Sequence, residues 1–151
     1  MSTAPTDIRH VGVTLQDALV VLTDLGLQAK QAHWNVTGPL FLPLHAQLDT
    51  LADEVRVSAD RVAERAATLG HAPDARASTV AKESPLAEPA AGPLSGDVVL
   101  EHLVSVLDVA TERLRTQVHQ LDQVDPISQD LLIGVAHDLE AQRWMFRAQQ
   151  A

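Results

Sequence analysis

Four stretches of apolar residues at helical spacing, cut apart by glycine and proline, constrain this chain more than anything else in it. Leu15, Leu19, Leu22, Leu25 and Ala29 make one stripe. Leu44, Leu48, Leu51, Val55, Val62 and Leu69 make a second; Leu100, Leu103, Leu107, Leu114, Val118 and Leu121 a third; Leu131, Leu132, Val135, Leu139 and Phe146 a fourth. Recurrence at three- and four-residue intervals places each set on one side of an α-helix, and four such sides bury one another in a bundle. The scarcity of aromatics (3%) and the absence of Tyr argue against a β sandwich, whose strands favour aromatic and β-branched residues.

The breaks set the helix ends. Thr14-Leu15-Gln16-Asp17 reads as a capping box with Asp for Glu, so the first helix is expected from Thr14, after a short flexible arm over residues 1–13. It should stop before Gly38-Pro39. A second helix is expected from Pro43, where proline is tolerated in a first turn, to Leu69 before Gly70. Residues 71–96 hold Pro73, Pro85, Pro89 and Pro93 and form a long crossover, with a short helix expected at Ser84–Ala91. A third helix begins near Asp97. Asp125-Pro126 stops it and starts a fourth, with Asp as N-cap, running to about Gln149. The expected fold is all-α: a single four-helix bundle over residues 14–151 with a long crossover between helices 2 and 3.

Composition removes several classes of function. There is no cysteine, which excludes disulfides, zinc–thiolate sites and iron–sulfur clusters. The net charge of −9 disfavours contact with nucleic-acid phosphates unless the bases cluster. They do not: only Arg9 precedes the first expected helix, and Ala-Gln-Gln-Ala follows Arg147. No apolar run approaches the roughly 20 residues of a membrane span, and the N-terminal residues lack a signal pattern, so a cytoplasmic location is expected.

Chemistry concentrates between His33 and Glu64. His33 falls on the stripe of the first helix, at its end. His45, Asp49, Asp60 and Glu64 lie on the second. With His45 at 0°, Asp49 falls near 40°, Asp60 near 60° and Glu64 near 100°, roughly 140° from the leucine stripe. This face points away from the chain's own core. Along the axis, His45 and Asp60 are about 22 Å apart and cannot share one metal within a chain. A two-fold axis crossing the middle of the helix would bring His45 and Asp49 of one copy to Asp60 and Glu64 of another, making two equivalent sites. Two imidazoles and three carboxylates suit iron, although zinc and manganese also accept such ligands. Plainer readings stand beside this one. His33 can be a hydrogen-bonded core residue. Asp60 and Glu64 can be a solvated face paired with Arg56, Arg61 and Arg65. Trp34 can be a packing or interface residue.

The run Lys30-Gln-Ala-His33-Trp34-Asn-Val-Thr-Gly-Pro39, followed by Leu44-His45, Asp49 and Asp60-x-x-x-Glu64-Arg65, resembles the Dps family of mini-ferritins, DNA-binding proteins from starved cells. Helix layout, crossover and length agree with it over essentially the whole chain. The resemblance implies a ferritin-like bundle, a hollow homododecamer, and a di-iron ferroxidase centre at a two-fold interface. His33, His45 and Asp49 are expected from one subunit, Asp60 and Glu64 from its partner. It implies oxidation of Fe(II) by hydrogen peroxide or O₂, and storage of a ferric mineral. It offers Asp122, Asp125 and Asp130 as iron-entry residues, and Trp34 as a neighbour of the centre. Firm DNA binding in this family goes with basic tails, so weak or no DNA binding is expected here. A bacterioferritin would need Glu-x-x-His pairs inside the bundle, and no glutamate in this chain has a histidine three residues on. A DNA-protecting structural protein with little iron oxidation is a rival reading, and a helical adaptor without chemistry is another. His10, His71, His102, His119 and His137 fall into no ligand pattern.

Overall fold

The structure, a computed structural model, describes residues 5–150. Four long helices, α1 (Pro5–Asn35), α2 (Phe41–Thr68), α4 (Gly96–Gln120) and α5 (Pro126–Arg147), form the bundle. A short helix α3 (Ala77–Glu83) sits in the crossover between α2 and α4. Two two-residue strands, β1 (Val36–Thr37) and β2 (Leu94–Ser95), pair in parallel. They clip the far end of the crossover to the α1–α2 turn, and the Thr37 hydroxyl donates to the Leu94 carbonyl.

The helical stripes meet as the spacing requires. Leu15, Leu22, Leu25, Leu44, Leu48, Leu51, Leu100, Leu103, Leu107, Leu114 and Phe146 are fully buried in one continuous core. Each such side chain contributes roughly 1.5–3 kcal/mol by leaving water, so this layer dominates the stability of the fold. Val62 is buried too, while Leu69, Val118 and Leu131 pack at its margin. α1 has the length and apolar content of a membrane-crossing helix, contrary to the expectation that no segment approaches one; its apolar stripe lies in the bundle core.

Three boundaries differ from those the sequence leads one to expect. Residues 5–13, expected to be a flexible arm, are the first turns of α1; residues 1–4 of that arm lie outside the described residues. Thr14 does not cap a helix. Its hydroxyl donates to the carbonyl of His10, one turn back inside α1. Val11 is buried, so the added turns carry core residues. The short crossover helix lies at Ala77–Glu83 instead of Ser84–Ala91. Pro85 and Pro89 explain this: a proline inside a helix removes a hydrogen bond and clashes with the turn before it, whereas 77–83 contains none. α2 begins at Phe41, two residues before Pro43. Gly38 opens the turn that feeds it, at φ 93°, a backbone conformation open to glycine at little cost.

Candidate metal centre

The turn at 36–40 folds the end of α1 against the start of α2, which brings His33 and His45 face to face. Their rings stack with centroids 3.6 Å apart and planes 18° from parallel. Each ring is held by the other residue's backbone. His33 Nδ1 lies 2.7 Å from the carbonyl oxygen of His45, and His45 Nδ1 lies 2.9 Å from that of His33. A carbonyl can only accept, so both Nδ1 atoms carry the proton and donate. The His33 carbonyl is in the last turn of α1, where helix carbonyls lack an intrahelical partner, and it takes one from across the turn. In the neutral rings, the lone pair is therefore on Nε2 in both. A ring nitrogen fixed by donation to a carbonyl is the usual second contact of a metal-binding histidine. Phe41 stacks on the His45 ring, with centroids 4.9 Å apart.

Asp49 is one turn along α2 from His45. Its carboxylate accepts from the Lys30 ammonium at 2.5 Å. This hydrogen bond, aided by the charge of Lys30 and opposed by burial, holds the Asp49 carboxyl below its usual range. Lys30 also lies 5.8 Å from the ring of Trp34, which is 67% exposed and so takes no part in the core. In the sequence Lys30 stands out only as part of a motif. Its place three residues before His33, on the same side of α1, is the signal that points to it.

Asp60 and Glu64 lie on the outer side of α2. Asp60 lines a groove of about 500 Å³ between α1 and α2, floored by Gly26, Ala59 and Ala63 and shared with Lys30. Glu64 lines a neighbouring groove of about 380 Å³ with Arg61, Arg65 and Asp130. The structure thus brings His33 and His45 into contact, holds Asp49 one turn along α2 on Lys30, and leaves Asp60 and Glu64 further along the helix. Among the described residues no three metal-ligating groups of one chain form a metal-sized cluster. His45 and Asp49, with His33 of α1 folded against them, lie toward one end of α2, and Asp60 and Glu64 lie toward the other, on the same face.

The three aspartates near the α4–α5 corner divide. Asp122 and Asp130 are exposed. Asp125 holds the N-cap position of α5, but its carboxylate makes no capping bond to the backbone. It accepts from both the Arg65 guanidinium, at 2.8 Å, and the Ser128 hydroxyl, at 2.6 Å. Its charge is already matched, which makes Asp125 a structural tie between α2 and α5 and leaves Asp122 and Asp130 as the candidates for iron entry. Of the remaining histidines, His71 lies 2.7 Å from the Ile8 carbonyl through Nε2 and His102 lies 2.8 Å from the Gln28 amide oxygen. His10, His119 and His137 are exposed.

The bundle and its crossover place the chain among ferritin-like proteins: the model of the ferritin-like domain matches residues 14–151. The chain is 35% identical over 142 residues to DNA protection during starvation protein 2 of Deinococcus radiodurans, covering 94% of this chain and 59% of that one. It thus spans less than two thirds of that relative's length. Over 137 residues it is 37% identical to the DNA protection during starvation protein of Mycolicibacterium smegmatis, covering 89% and 73% of the two chains. A crystal structure of a Deinococcus radiodurans Dps superposes with a TM-score of 0.93 at 35% identity, covering 95% of this chain and 87% of that one. Dps from Microbacterium arborescens, solved in a high iron form, superposes with a TM-score of 0.92 at 32% identity, covering 99% and 97%. The chain belongs to the Dps family of the ferritin-like superfamily.

Proposed function

We propose that this protein oxidises Fe(II) at centres shared between two subunits and stores the ferric product inside a hollow shell of twelve. The observation that carries this reading is the mutual lock of His33 and His45. Two stacked imidazoles each donate Nδ1–H to the other's carbonyl, which leaves the Nε2 lone pair of each free. Asp60 and Glu64, on the same face of α2, supply the remaining oxygen donors once a second copy lies antiparallel.

The donor set carries three negative charges with both imidazoles neutral. Such a set favours a transition-metal cation over water, and holds Fe(III) more tightly than Fe(II). That preference lowers the cost of removing an electron. Two Fe(II) supply the two electrons that reduce one hydrogen peroxide to water, so the reaction consumes both reagents that make hydroxyl radical. The protein's residues position the ions and tune their potential; peroxide is the electron acceptor.

The relatives' names speak of DNA protection. Removing Fe(II) and peroxide protects DNA without touching it, and a chain of net charge −9 repels the phosphate backbone. Direct DNA packing is therefore the weaker reading, and a cytoplasmic location suits the stronger one.

The test is to add Fe(II) anaerobically to metal-free protein, then hydrogen peroxide, and follow ferric absorbance and elution from a sizing column. The expected result is oxidation faster than in a protein-free control, with iron eluting in a particle far larger than one chain. Oxidation no faster than the control, with iron precipitating free of protein, would contradict the proposal.

A further inference from the structure

The outer face of α2 carries more than the candidate ligands. Asp53 and Arg56 lie on it too, close to the middle of the helix. With His45 at 0°, Arg56 falls near 20° and Asp53 near 80°, inside the arc that holds Asp49, Asp60 and Glu64. Both are exposed. Several other charged residues are paired within the chain: Arg65 with Asp125, Arg113 with Asp17, Arg115 with Glu140, and Arg143 and Arg147 with Asp108. Among the described residues, neither Asp53 nor Arg56 makes a salt bridge or a side-chain hydrogen bond within the chain.

Two copies of a helix crossed by a two-fold axis run antiparallel, so each step forward along one is a step back along the other. The register that sets His45 opposite Glu64 also sets Asp49 opposite Asp60. Carried further, it sets Ala46 opposite Ala63, Leu42 opposite Ala67, and Asp53 opposite Arg56. Leu42 is 75% exposed in the single chain, and small alanines face it and one another across the axis. Asp49 opposite Asp60 is the one repulsive match, and it is the position that calls for a cation. Asp53 opposite Arg56 is attractive and occurs twice, once on each side of the axis.

We propose that Asp53 and Arg56 form two reciprocal ion pairs across the two-fold axis with a second copy of this chain, and that these pairs fix the register that closes the shared metal centre. The inference rests on the shared-centre reading above. The pairs sit between the two centres and hold the subunits together before iron arrives, when the facing carboxylates of Asp49 and Asp60 push them apart. A slip of α2 by one turn would separate both ion pairs and dismantle both donor sets together.

The test is charge reversal in iron-free protein, so it does not depend on iron chemistry. Arg56→Asp and Asp53→Arg are made singly and together, with helicity checked by circular dichroism. Assembly is read by sedimentation velocity and native mass spectrometry. Each single reversal turns two attractions into two repulsions and should weaken the two-fold association by about 100-fold or more, giving smaller particles than wild type. Mixing the two single variants pairs aspartates with arginines across a mixed interface, and should restore association to within about tenfold of wild type; the double variant should do the same. The milder Arg56→Gln should weaken association without reversal, which keeps the test usable should a reversal unfold the chain. Wild-type assembly in the single reversals, or folded variants that neither mixing nor the double reversal rescues, would overturn the proposal. Loss of iron oxidation with the pairing intact would count against the shared-centre reading alone.

Discussion

At the scale of single residues, chemistry and stability separate. Asp60 makes no side-chain hydrogen bond among the described residues and lies on the exposed side of its helix, so Asp60→Asn should leave thermal stability within about 0.5 kcal/mol of wild type. The same change should remove iron oxidation. His45→Ala should also remove it, and should in addition cost about 1 kcal/mol, because the Nδ1 bond to the His33 carbonyl and the ring stack go with it. Calorimetry beside an oxidation assay checks both; an Asp60→Asn protein that oxidises iron at the wild-type rate would remove that residue from the centre. The candidate ligands and their spacing are legible in the sequence because a helix converts spacing into angle. The Nδ1–carbonyl exchange is not. It depends on the path of the turn at 36–40, where Gly38 takes a left-handed conformation, and no periodicity encodes that path. Lys30 is hard to single out for a related reason: its partner Asp49 lies on another helix.

At the scale of elements, the bundle is held by its core and pinned at its corners. Leu103→Ala should cost about 3 kcal/mol, since the side chain is fully buried and its neighbours are helices that cannot collapse into the gap. The tie between Arg65, Asp125 and Ser128 joins the end of α2 to the start of α5. Burial raises the Asp125 carboxyl, but hydrogen bonds from Ser128 and Arg65 outweigh it and hold the group below its usual range. A carboxyl depressed in the folded state stabilises above its unfolded pKa and loses that contribution as pH falls toward the folded value. Asp125→Asn should therefore lower stability by about 2 kcal/mol at neutral pH. Its deficit against wild type should begin to shrink only below about pH 4. Urea midpoints measured across that range test it, and a deficit that stays constant down to about pH 2 would refute the tie. The four long helices are readable from their stripes. The start of α1 is not, because Thr14-Leu-Gln-Asp17 spells a helix start while Thr14 bonds backward within a helix already under way. The pairing of β1 with β2 joins Val36 to Leu94 across the crossover, a contact that only the folded chain creates.

At the scale of the whole molecule, the proposed centre needs more than one chain. The candidate donors lie toward the two ends of α2, too far apart to share one ion, and in the proposed assembly a second copy brings the unlike groups together. Acidity fits the same picture: a chain of net charge −9 draws cations and should form no firm complex with DNA in a gel shift at about 100 mM salt. The most direct test of the shared centre is complementation between two broken halves. His45→Ala destroys one half and Asp60→Ala the other, so neither protein alone should oxidise Fe(II) above the protein-free control. Co-assembled from equal amounts, about one centre in four should combine the intact half of each variant, and peroxide-driven oxidation should return to about a quarter of wild type. Mixed particles that stay inactive, or a single variant that keeps full activity, would contradict a centre built from two subunits.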